Sequence, residues 1–245
     1  MTEAPAETFT RLRGQPDSVV LEGLHALKHA LRFDADVRVA VSDRLPQLLA
    51  LAEQLAPDLR SRLAGLVQPV SAAEFAALTG RPLGSPVLAL ARRRPVDIDR
   101  IWAAGPDPVV LLERPRHAGN AGAVVRVAAA AGARAVLVTG ELDPWSPPVL
   151  RSAAGLQFAV DVGQVLDVPA TNRQLIALDP EGALLDPRLL AGGPILIFGG
   201  ERHGISRSLL ERADRVFRLP MRAQVSSLNL ATSVSAVLYA WRLLR

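Results

Sequence analysis

Residues Val109 to Val138 read VVLLERPRHAGNAGAVVRVAAAAGARAVLV, and this stretch determines the predicted fold class. Its two ends, Val109–Leu112 and Ala135–Val138, are short apolar runs with the length and composition of buried strands. The part between them passes a glycine-bearing turn at Asn120 and continues as an alanine-rich segment, which favours a helix. A strand, a helix and a second strand in this order predict a βαβ unit.

The same alternation continues to the end of the chain. Buried strands are predicted at 109–113, 135–139, 175–178, 195–198 and 216–219, and a final helix from residue 227. Parallel strands that are covered on both faces are apolar almost throughout. Residues 106–245 are therefore predicted to form an α/β domain with a mostly parallel sheet.

The first part of the chain predicts a smaller α/β domain over residues 17–95. Residues 1–16 are polar and contain proline, which predicts a flexible tail. Strand and helix patterns then alternate, with strands near Val19, at Val37–Val41, near Val67 and at Val87–Ala91, and with helices between them, one starting at Ser71. The basic run Arg92–Pro95 marks the transition between domains, and residues 96–105 are assigned to the linker.

Composition excludes several classes of protein. The 245 residues include no cysteine, so disulfides and thiolate chemistry are excluded. No apolar run approaches the ~20 residues needed to cross a bilayer, which predicts no membrane partner. The first residues lack the charged and apolar regions of a secretory signal, so the cytoplasm is the expected location.

The charge of the chain is a modest indication of nucleic-acid binding. The net charge is +4, and Lys28 is the only lysine, so almost all positive charge is arginine. Arginine suits phosphate recognition and stacking on bases. A coding bias toward arginine explains the same ratio, so the charge alone does not decide between the two.

Two further segments carry residues suited to a polar ligand. Ile195–Ser206 reads ILIFGGERHGIS, a buried strand that runs into a glycine-rich loop, where small residues let a ligand approach the backbone. This loop lacks the G-x-G-x-x-G spacing of a dinucleotide site. Leu219–Asn229 reads LPMRAQVSSLN, and it places Ser227 and Asn229 at the start of the final helix, where ligands are often held. The alternative is that Ser227 only caps this helix.

Together and in this order, the three segments resemble the motifs of the SpoU/TrmH class of RNA ribose 2'-O-methyltransferases, members of the SPOUT superfamily. The resemblance is carried by FGGERHGIS at residues 198–206 and by LPMRAQVSSLNLATSVSAVLYAWR at residues 219–242. PPVLRSAAGLQF at residues 147–158 is similar to the family's R-x-S-x-G-A segment. Ala118 replaces the proline usual in the first motif, and Arg202 stands where a glycine often follows the glutamate.

This resemblance implies a specific architecture. The C-terminal segment of the catalytic domain would thread a loop to form a trefoil knot, and the knotted loops would form the S-adenosylmethionine pocket. The segment VVLEGLHALKHAL at residues 19–31 resembles the start of the ribosomal-protein-L30e-like domain that precedes many such catalytic domains. Residues 17–95 would then bind the RNA substrate, with ribosomal RNA favoured over transfer RNA.

The resemblance also implies roles for individual positions. The catalytic positions of the motifs are here Asn120, Arg126, Glu201, Ser227 and Asn229, with Glu201 expected to anchor the loop or contact RNA. Those that hold the cofactor are Gly199, Leu219, Met221 and Leu228. The implied reaction is methyl transfer from S-adenosylmethionine to a ribose 2'-hydroxyl. Family proposals let the arginine activate that hydroxyl, but a guanidinium stays protonated. Binding a flanking phosphate or stabilising alkoxide charge is the easier role for Arg126.

The final helix carries an apolar stripe that predicts an interface. Its members, at helical spacings of three and four, are Leu230, Val234, Val237, Leu238 and Trp241. Enzymes of this class pair through this region, so the resemblance implies a homodimer with active sites near the interface. The alternative is that the stripe packs on its own sheet.

Other functions remain open from the sequence. His25 and His29 have the spacing of two metal ligands, but no third ligand is placed near them, so no metal is expected. An RNA-binding protein on the same scaffold that has lost methyl transfer is one alternative. A related methyltransferase that acts on a base, or on transfer RNA, is the other.

Overall fold

The computed structural model describes residues 3–245, which form two compact units. The first contains the chain up to Arg94 together with the short segment Ala154–Ala159. The second contains Pro95–Ala153 and Val160–Arg245. The division after Arg94 falls in the basic run that marked the domain transition in the sequence.

The first unit is a four-stranded sheet with helices packed on it. Its elements are α1 (Pro5–Arg13), β1 (Ser18–Glu22), α2 (Leu24–Arg32), β2 (Val37–Ser42), α3 (Leu45–Leu55), α4 (Arg60–Leu66), β3 (Val67–Pro69), α5 (Ala72–Thr79) and β4 (Leu88–Arg92). The strand order is β1-β4-β2-β3. Strand β4 runs antiparallel to both β1 and β2, whereas β2 and β3 are parallel.

The structure differs from the flexible tail predicted for residues 1–16. Residues Met1 and Thr2 lie outside the described part, but Pro5–Arg13 forms helix α1. Phe9 is fully buried and Leu12 is almost so, in a cluster that includes the inward-facing side chains of β2 and β4. A nine-residue helix is marginal in isolation. The helix is therefore stabilised by a tertiary contact that composition does not reveal.

The segment Ala154–Ala159 packs on helix α2 within the first unit. Gly155 has φ +76°, and an added Cβ would lie 2.5 Å from the carbonyl oxygen of Ala26, so only glycine fits. His29 Nδ1 lies 2.7 Å from the carbonyl oxygen of Ala154, so this nitrogen carries a proton and donates. Partial burial is the main factor that lowers the pKa of His29 below its ordinary value, against the opposing effect of this hydrogen bond.

The second unit is a parallel α/β domain. Its elements are α6 (Ile98–Trp102), β5 (Val109–Glu113), α7 (Ala118–Ala131), β6 (Ala135–Val138), α8 (Pro147–Ala153), β7 (Asp161–Gln164), β8 (Leu175–Leu184), β9 (Ile195–Gly199), α9 (Arg207–Arg212), β10 (Arg215–Arg218) and α10 (Leu230–Arg242). The strand order is β10-β8-β9-β5-β6-β7, and every neighbouring pair is parallel. The prediction of an α/β fold with a mostly parallel sheet is confirmed.

Alternate residues of the central strands face the two layers of helices. Val109 and Leu111 lie in one core cluster with Ile101 of α6 and Leu209 of α9. On the other layer, α7 packs against both α8 and α10. Residues 96–105, assigned to the linker, therefore belong to this core, because Ile101 and Trp102 of α6 are buried in it.

The helices formed by residues 3–245 include none that is both long enough and apolar enough to cross a bilayer. Over the same residues, no group of three or more histidine, aspartate or glutamate side chains is arranged to hold a metal ion.

Replacing Phe9 tests whether α1 is part of the folded unit. Because the ring is fully buried, Phe9→Ala should lower the free energy of unfolding by about 3 kcal/mol. Urea denaturation of the full chain, followed by circular dichroism, measures the change as an earlier transition of the first unit. Glu7→Ala, an exposed position on the same helix, is the matched control and should leave the transition in place. Equal transitions for both variants would contradict a packed helix.

Candidate active site

A cavity of ≈ 570 Å³ opens in the second unit where several strands and loops meet. Its walls come from residues 178–180 of β8, from residues 198–201 and 204–205 at and after the end of β9, from residues 217–219 and 221 at and after the end of β10, and from residues 227–230 and 233 at the start of α10. His117 and Asn120 at the start of α7 complete it. Ligands of parallel α/β sheets are commonly held at the carboxyl ends of the strands.

A large bulge in β8 forms one wall of the cavity. Val216 of β10 pairs with Ala177 of β8, and the next residue, Phe217, pairs with Ala183. The five residues of β8 between these two pairs form the bulge. The backbone of β10 approaches closely here, because a Cβ added to Gly182 would lie 2.7 Å from backbone atoms of Phe217. The sequence predicted only the first four residues of this strand. Bulges often re-aim residues beside active sites.

The glycine-rich loop after β9 folds back on itself. Gly204 has φ +62°, and its N–H donates to the carbonyl oxygen of Gly200 over 3.0 Å. A Cβ on Gly199 would overlap the backbone of Gly204, so no larger residue fits at that position. The loop is therefore a compact backbone surface against the cavity.

A chain of hydrogen bonds joins three segments that are distant in sequence. The Nδ2 of Asn120 donates to Oε1 of Glu201 over 2.7 Å. The Oδ1 of Asn120 accepts from Nδ2 of Asn229 over 3.0 Å. The Oδ1 of Asn229 then accepts from the N–H of Ala231 over 2.9 Å and so caps helix α10. The start of α7, the glycine loop and the start of α10 are held together by these three side chains.

Both oxygens of the Glu201 carboxylate accept hydrogen bonds in this arrangement. Its Oε2 accepts from the backbone N–H of Arg116 over 3.0 Å, while Oε1 accepts from Asn120. Partial burial acts to raise the pKa of Glu201, but the hydrogen bonds from Arg116 and Asn120 outweigh it and hold the pKa below its ordinary value. Glu201 therefore stays ionised and works as an acceptor that fixes the loop.

Helix α10 begins later than the sequence predicted. The expected start was residue 227, with Ser227 as the alternative cap, but the helix starts at Leu230 and Asn229 is the N-cap. Asn229 is the residue whose side-chain oxygen reaches the first free backbone N–H groups. Ser227 lies in the exposed segment before the helix and lines the cavity.

The structure brings together most of the residues that the motifs indicated. The predicted cofactor positions Gly199, Leu219, Met221 and Leu228 all line the cavity. Among the predicted catalytic positions, Asn120, Glu201, Ser227 and Asn229 line it as well. Arg126 does not. It is exposed on α7, six residues after Asn120, which projects the two side chains about 120° apart around the helix.

Glu113 is an anchor that sequence reasoning missed. It is buried at the end of β5, where its Oε2 accepts from the N–H of Ser206 over 2.7 Å. Its Oε1 accepts from Nη2 of Arg114 over 3.0 Å. The carboxylate therefore holds the far end of the glycine loop against β5. In the sequence it is an ordinary acidic residue after an apolar run, so no local signal marks it.

Comparison with known proteins identifies the family of the second unit. The profile of the SpoU rRNA Methylase family matches residues 107–239, which is more than half of the chain. The chain belongs to the SpoU rRNA methylase family. The matched range contains the cavity and every side chain of the hydrogen-bond chain that links Glu201 to α10.

Curated relatives match this SpoU protein over nearly its whole length. A 23S rRNA (guanosine(2553)-2'-O)-methyltransferase of Bacillus subtilis is 26% identical, over 94% of this chain and 90% of that protein. A 23S rRNA (uridine(2479)-2'-O)-methyltransferase of Streptomyces viridochromogenes is 25% identical, over 93% of this chain and 83% of that protein.

A solved structure is similar in fold and sequence. The AdoMet-bound rRNA methyltransferase of Sinorhizobium meliloti superposes with a TM-score of 0.75 and 25% identity. The alignment covers 97% of this chain and 92% of that one. The similarity therefore extends over both units of this SpoU protein.

Gly199→Ala tests the close packing of the glycine loop. Because the new methyl group would overlap the backbone of Gly204, the loop must shift, and we expect the second unit to lose about 1–3 kcal/mol of stability. Gly119→Ala is the control, since an added Cβ there meets no atom within 4 Å. Thermal unfolding by calorimetry should show a lower midpoint for the first variant only. An unchanged midpoint for Gly199→Ala would mean that the loop is looser than this geometry.

Proposed function

We propose that this SpoU protein transfers a methyl group from S-adenosylmethionine to a ribose 2'-hydroxyl of ribosomal RNA. The observation that carries the proposal is the cavity whose walls combine the three family motifs, tied together by the chain Glu201–Asn120–Asn229. The two curated relatives described above carry names that differ in the base, uridine or guanosine, and agree in the ribose oxygen. A ribosomal substrate makes the cytoplasm the site of the reaction.

The residues of the cavity fit S-adenosylmethionine. A volume of ≈ 570 Å³ lies in the usual range for small-molecule sites, which are mostly apolar with a few polar groups. Phe198, Leu219 and Met221 provide apolar contact suited to an adenine ring, and the backbone of Gly199 and Gly200 provides polar groups. The bound cofactor supplies an electrophilic methyl group on a sulfonium, so the protein needs no strong nucleophile of its own.

The polar side chains orient the reactants. Asn229 is fixed as the cap of α10, and it fixes Asn120, which in turn fixes Glu201. These bonds keep the loops in one arrangement before any substrate arrives, and pre-organisation of this kind supplies a large share of a rate enhancement. Ser227 is exposed at the wall of the cavity, where its hydroxyl is available to the RNA.

Arg126 acts on the RNA from a partner subunit in this proposal. In one chain its guanidinium is exposed on α7 and lines no part of the cavity that contains Asn120. Helices α7 and α10 pack side by side within the chain. A two-fold contact over their exposed faces would bring Arg126 of one subunit toward the cavity of the other. There its charge would bind the flanking phosphate and stabilise the developing alkoxide.

The dimer surface differs from the one that the sequence indicated. The predicted stripe of α10 is buried within the chain, since Val234, Val237 and Leu238 are fully buried and Trp241 is 2% exposed. That stripe packs on its own subunit. The apolar side chains left exposed at the end of the helix are Tyr239, Leu243 and Leu244. They are the residues that a homodimer would cover.

Two finer features belong to the same proposal. The first unit is an L30e-like module that captures RNA, which is supported by its mixed α/β sheet and by the resemblance at residues 19–31. The segment between β10 and α10 completes a trefoil knot. This is supported by its position in the wall of the same cavity as the bulge of β8 and the loop after β9.

Methyl transfer is tested with the full chain and unmodified 23S rRNA transcribed in vitro. Calorimetry should show one S-adenosylmethionine bound per subunit, and nucleoside analysis after incubation should show a 2'-O-methylnucleoside. Cofactor binding without any methylated nucleoside would exclude the proposed reaction on this RNA. A methylated base instead of a methylated ribose would favour the base-directed alternative.

Arg126→Ala should lower the rate of methyl transfer by about two orders of magnitude, the effect of losing one oriented charge at the reacting oxygen. The affinity for S-adenosylmethionine should be unchanged, because Arg126 does not line the cavity. Arg207→Ala, another exposed arginine of the second unit, is the control. Transfer of labelled methyl groups measures both variants. Full activity of Arg126→Ala would remove this residue from the mechanism.

Leu243→Asp tests the dimer. Leu243 is 81% exposed in one chain, so a charge there should not disturb folding but should disrupt an apolar contact between subunits. Sedimentation at micromolar concentration should show about twice the chain mass of 26.1 kDa for the wild type and a monomer for the variant, with activity lost together. Leu166→Asp, at a leucine that is even more exposed and lies away from α10, is the control. An active monomer would overturn the shared site.

A further inference from the structure

A second cavity, of ≈ 490 Å³, lies beside the first and shares a wall with it. Gly200 and Gly204 line both cavities. A Cβ added to Gly200 would lie 2.5 Å from the carbonyl oxygen of Arg114, so the loop rests directly on the end of β5. The two cavities are therefore separated by little more than the backbone of the glycine loop.

Two loops divide their side chains between these cavities. Between β5 and the first turn of α7, His117 and Asn120 line the first cavity, whereas Arg116 lines the second. In the glycine loop, Glu201 lines the first cavity, whereas Arg202 lines the second together with His203. The acceptors and amides that build the hydrogen-bond chain face the first cavity, and the arginines of these segments face the second.

The charges at the second cavity favour an anion. Among residues 3–245, the guanidinium groups of Arg116 and Arg202 have no hydrogen-bond or ion-pair partner, and both side chains belong to exposed residues. Glu113, which also lines the cavity, is buried and engaged by Arg114 and by a backbone N–H. Glu141 is the remaining acidic residue of the lining, so two uncompensated cations face one carboxylate.

We propose that the second cavity binds a backbone phosphate of the RNA next to the methylated nucleotide, with Arg116 and Arg202 as its cationic ligands. This inference rests on the proposed function. A guanidinium matches the geometry of phosphate oxygens and binds them through two parallel hydrogen bonds. Little more than the backbone of the glycine loop separates the two cavities. When the ribose of an RNA nucleotide lies at the first cavity, a neighbouring phosphate of the same RNA strand therefore lies at the second.

The two arginines are positioning residues rather than catalytic ones. The backbone N–H of Arg116 donates to Glu201, so a phosphate held by its side chain is fixed relative to the hydrogen-bond chain of the first cavity. Arg202 follows Glu201 directly in the loop. A phosphate bound by both sets which nucleotide of the strand reaches the methyl group. Their loss should therefore change RNA affinity and the site of methylation more than the maximal rate.

The experiment uses the full chain, the 23S rRNA transcript and the double variant Arg116→Gln/Arg202→Gln. The control is Arg207→Gln, an exposed arginine of the same unit that lines neither cavity. The double variant should raise KM for the transcript at least tenfold, with kcat at saturating RNA within about threefold of the wild type. Its affinity for S-adenosylmethionine should be unchanged. The dependence of RNA affinity on salt should become shallower, by about 0.7 in the log–log slope for each single-strand phosphate that the variant no longer neutralises.

Phosphate ethylation of the transcript locates the bound phosphate. With the wild type, an ethyl group on one or two phosphates beside the methylated nucleotide should prevent methylation, and with the double variant this sensitivity should disappear. Arg202→Lys keeps the positive charge, so this variant should lose only part of the affinity for the transcript that Arg202→Gln loses. If the double variant is not folded, as judged by cofactor binding, the two single variants take its place.

The outcomes separate this inference from the proposed function. Wild-type affinity and an unchanged ethylation pattern in the double variant would overturn the phosphate site while leaving methyl transfer intact. A wild type that binds the transcript but transfers no methyl group would exclude the proposed reaction. The phosphate site is then decided by filter binding alone, since the double variant must still lose at least tenfold in affinity and the Arg207→Gln control must not.

Discussion

The site depends on one set of contacts, the hydrogen bonds by which Asn120 joins Glu201 to Asn229. These bonds bridge segments more than 80 residues apart in sequence. An amide is suited to this place because it donates to the carboxylate with one end and accepts from the second asparagine with the other. The two outer side chains each have a second attachment, Glu201 to the backbone of Arg116 and Asn229 to the first turn of α10. Without any one of these three side chains, two of the segments would no longer be held in a fixed position relative to each other.

The glycine loop imposes the second constraint, because its backbone forms a wall between two cavities. Gly199 and Gly200 approach other backbone segments too closely for any Cβ, and Gly204 requires a left-handed conformation. The buried Glu113 holds the far end of this loop. A wall made of backbone can present Glu201 to one side and Arg202 to the other, so neighbouring residues line two different cavities. This explains why charged residues follow the glycines directly.

The strands and helices that follow from a local sequence pattern could be predicted from the sequence. Those that depend on packing with residues distant in sequence could not. The strand at Val109–Glu113 was found because buried parallel strands are continuous apolar runs. Strand β7 was not predicted, because it is short and only Val162 of it is fully buried. Helix α1 was missed because its stability comes from Phe9, which packs in a core formed by residues later in the chain. The motif residues other than Arg126 line one cavity, but no pattern in one chain shows that Arg126 lies outside it.

Protonation of the site follows from the same contacts. A carboxylate whose pKa is lowered in the folded state contributes stability that is present above its ordinary pKa, near 4.5, and is lost as the pH falls through the lowered value. The chain built on Glu201 therefore stays intact throughout the neutral range. This framework therefore keeps one protonation state near neutrality, and the hydrogen-bond chain contributes no change in the rate of methyl transfer with pH in that range.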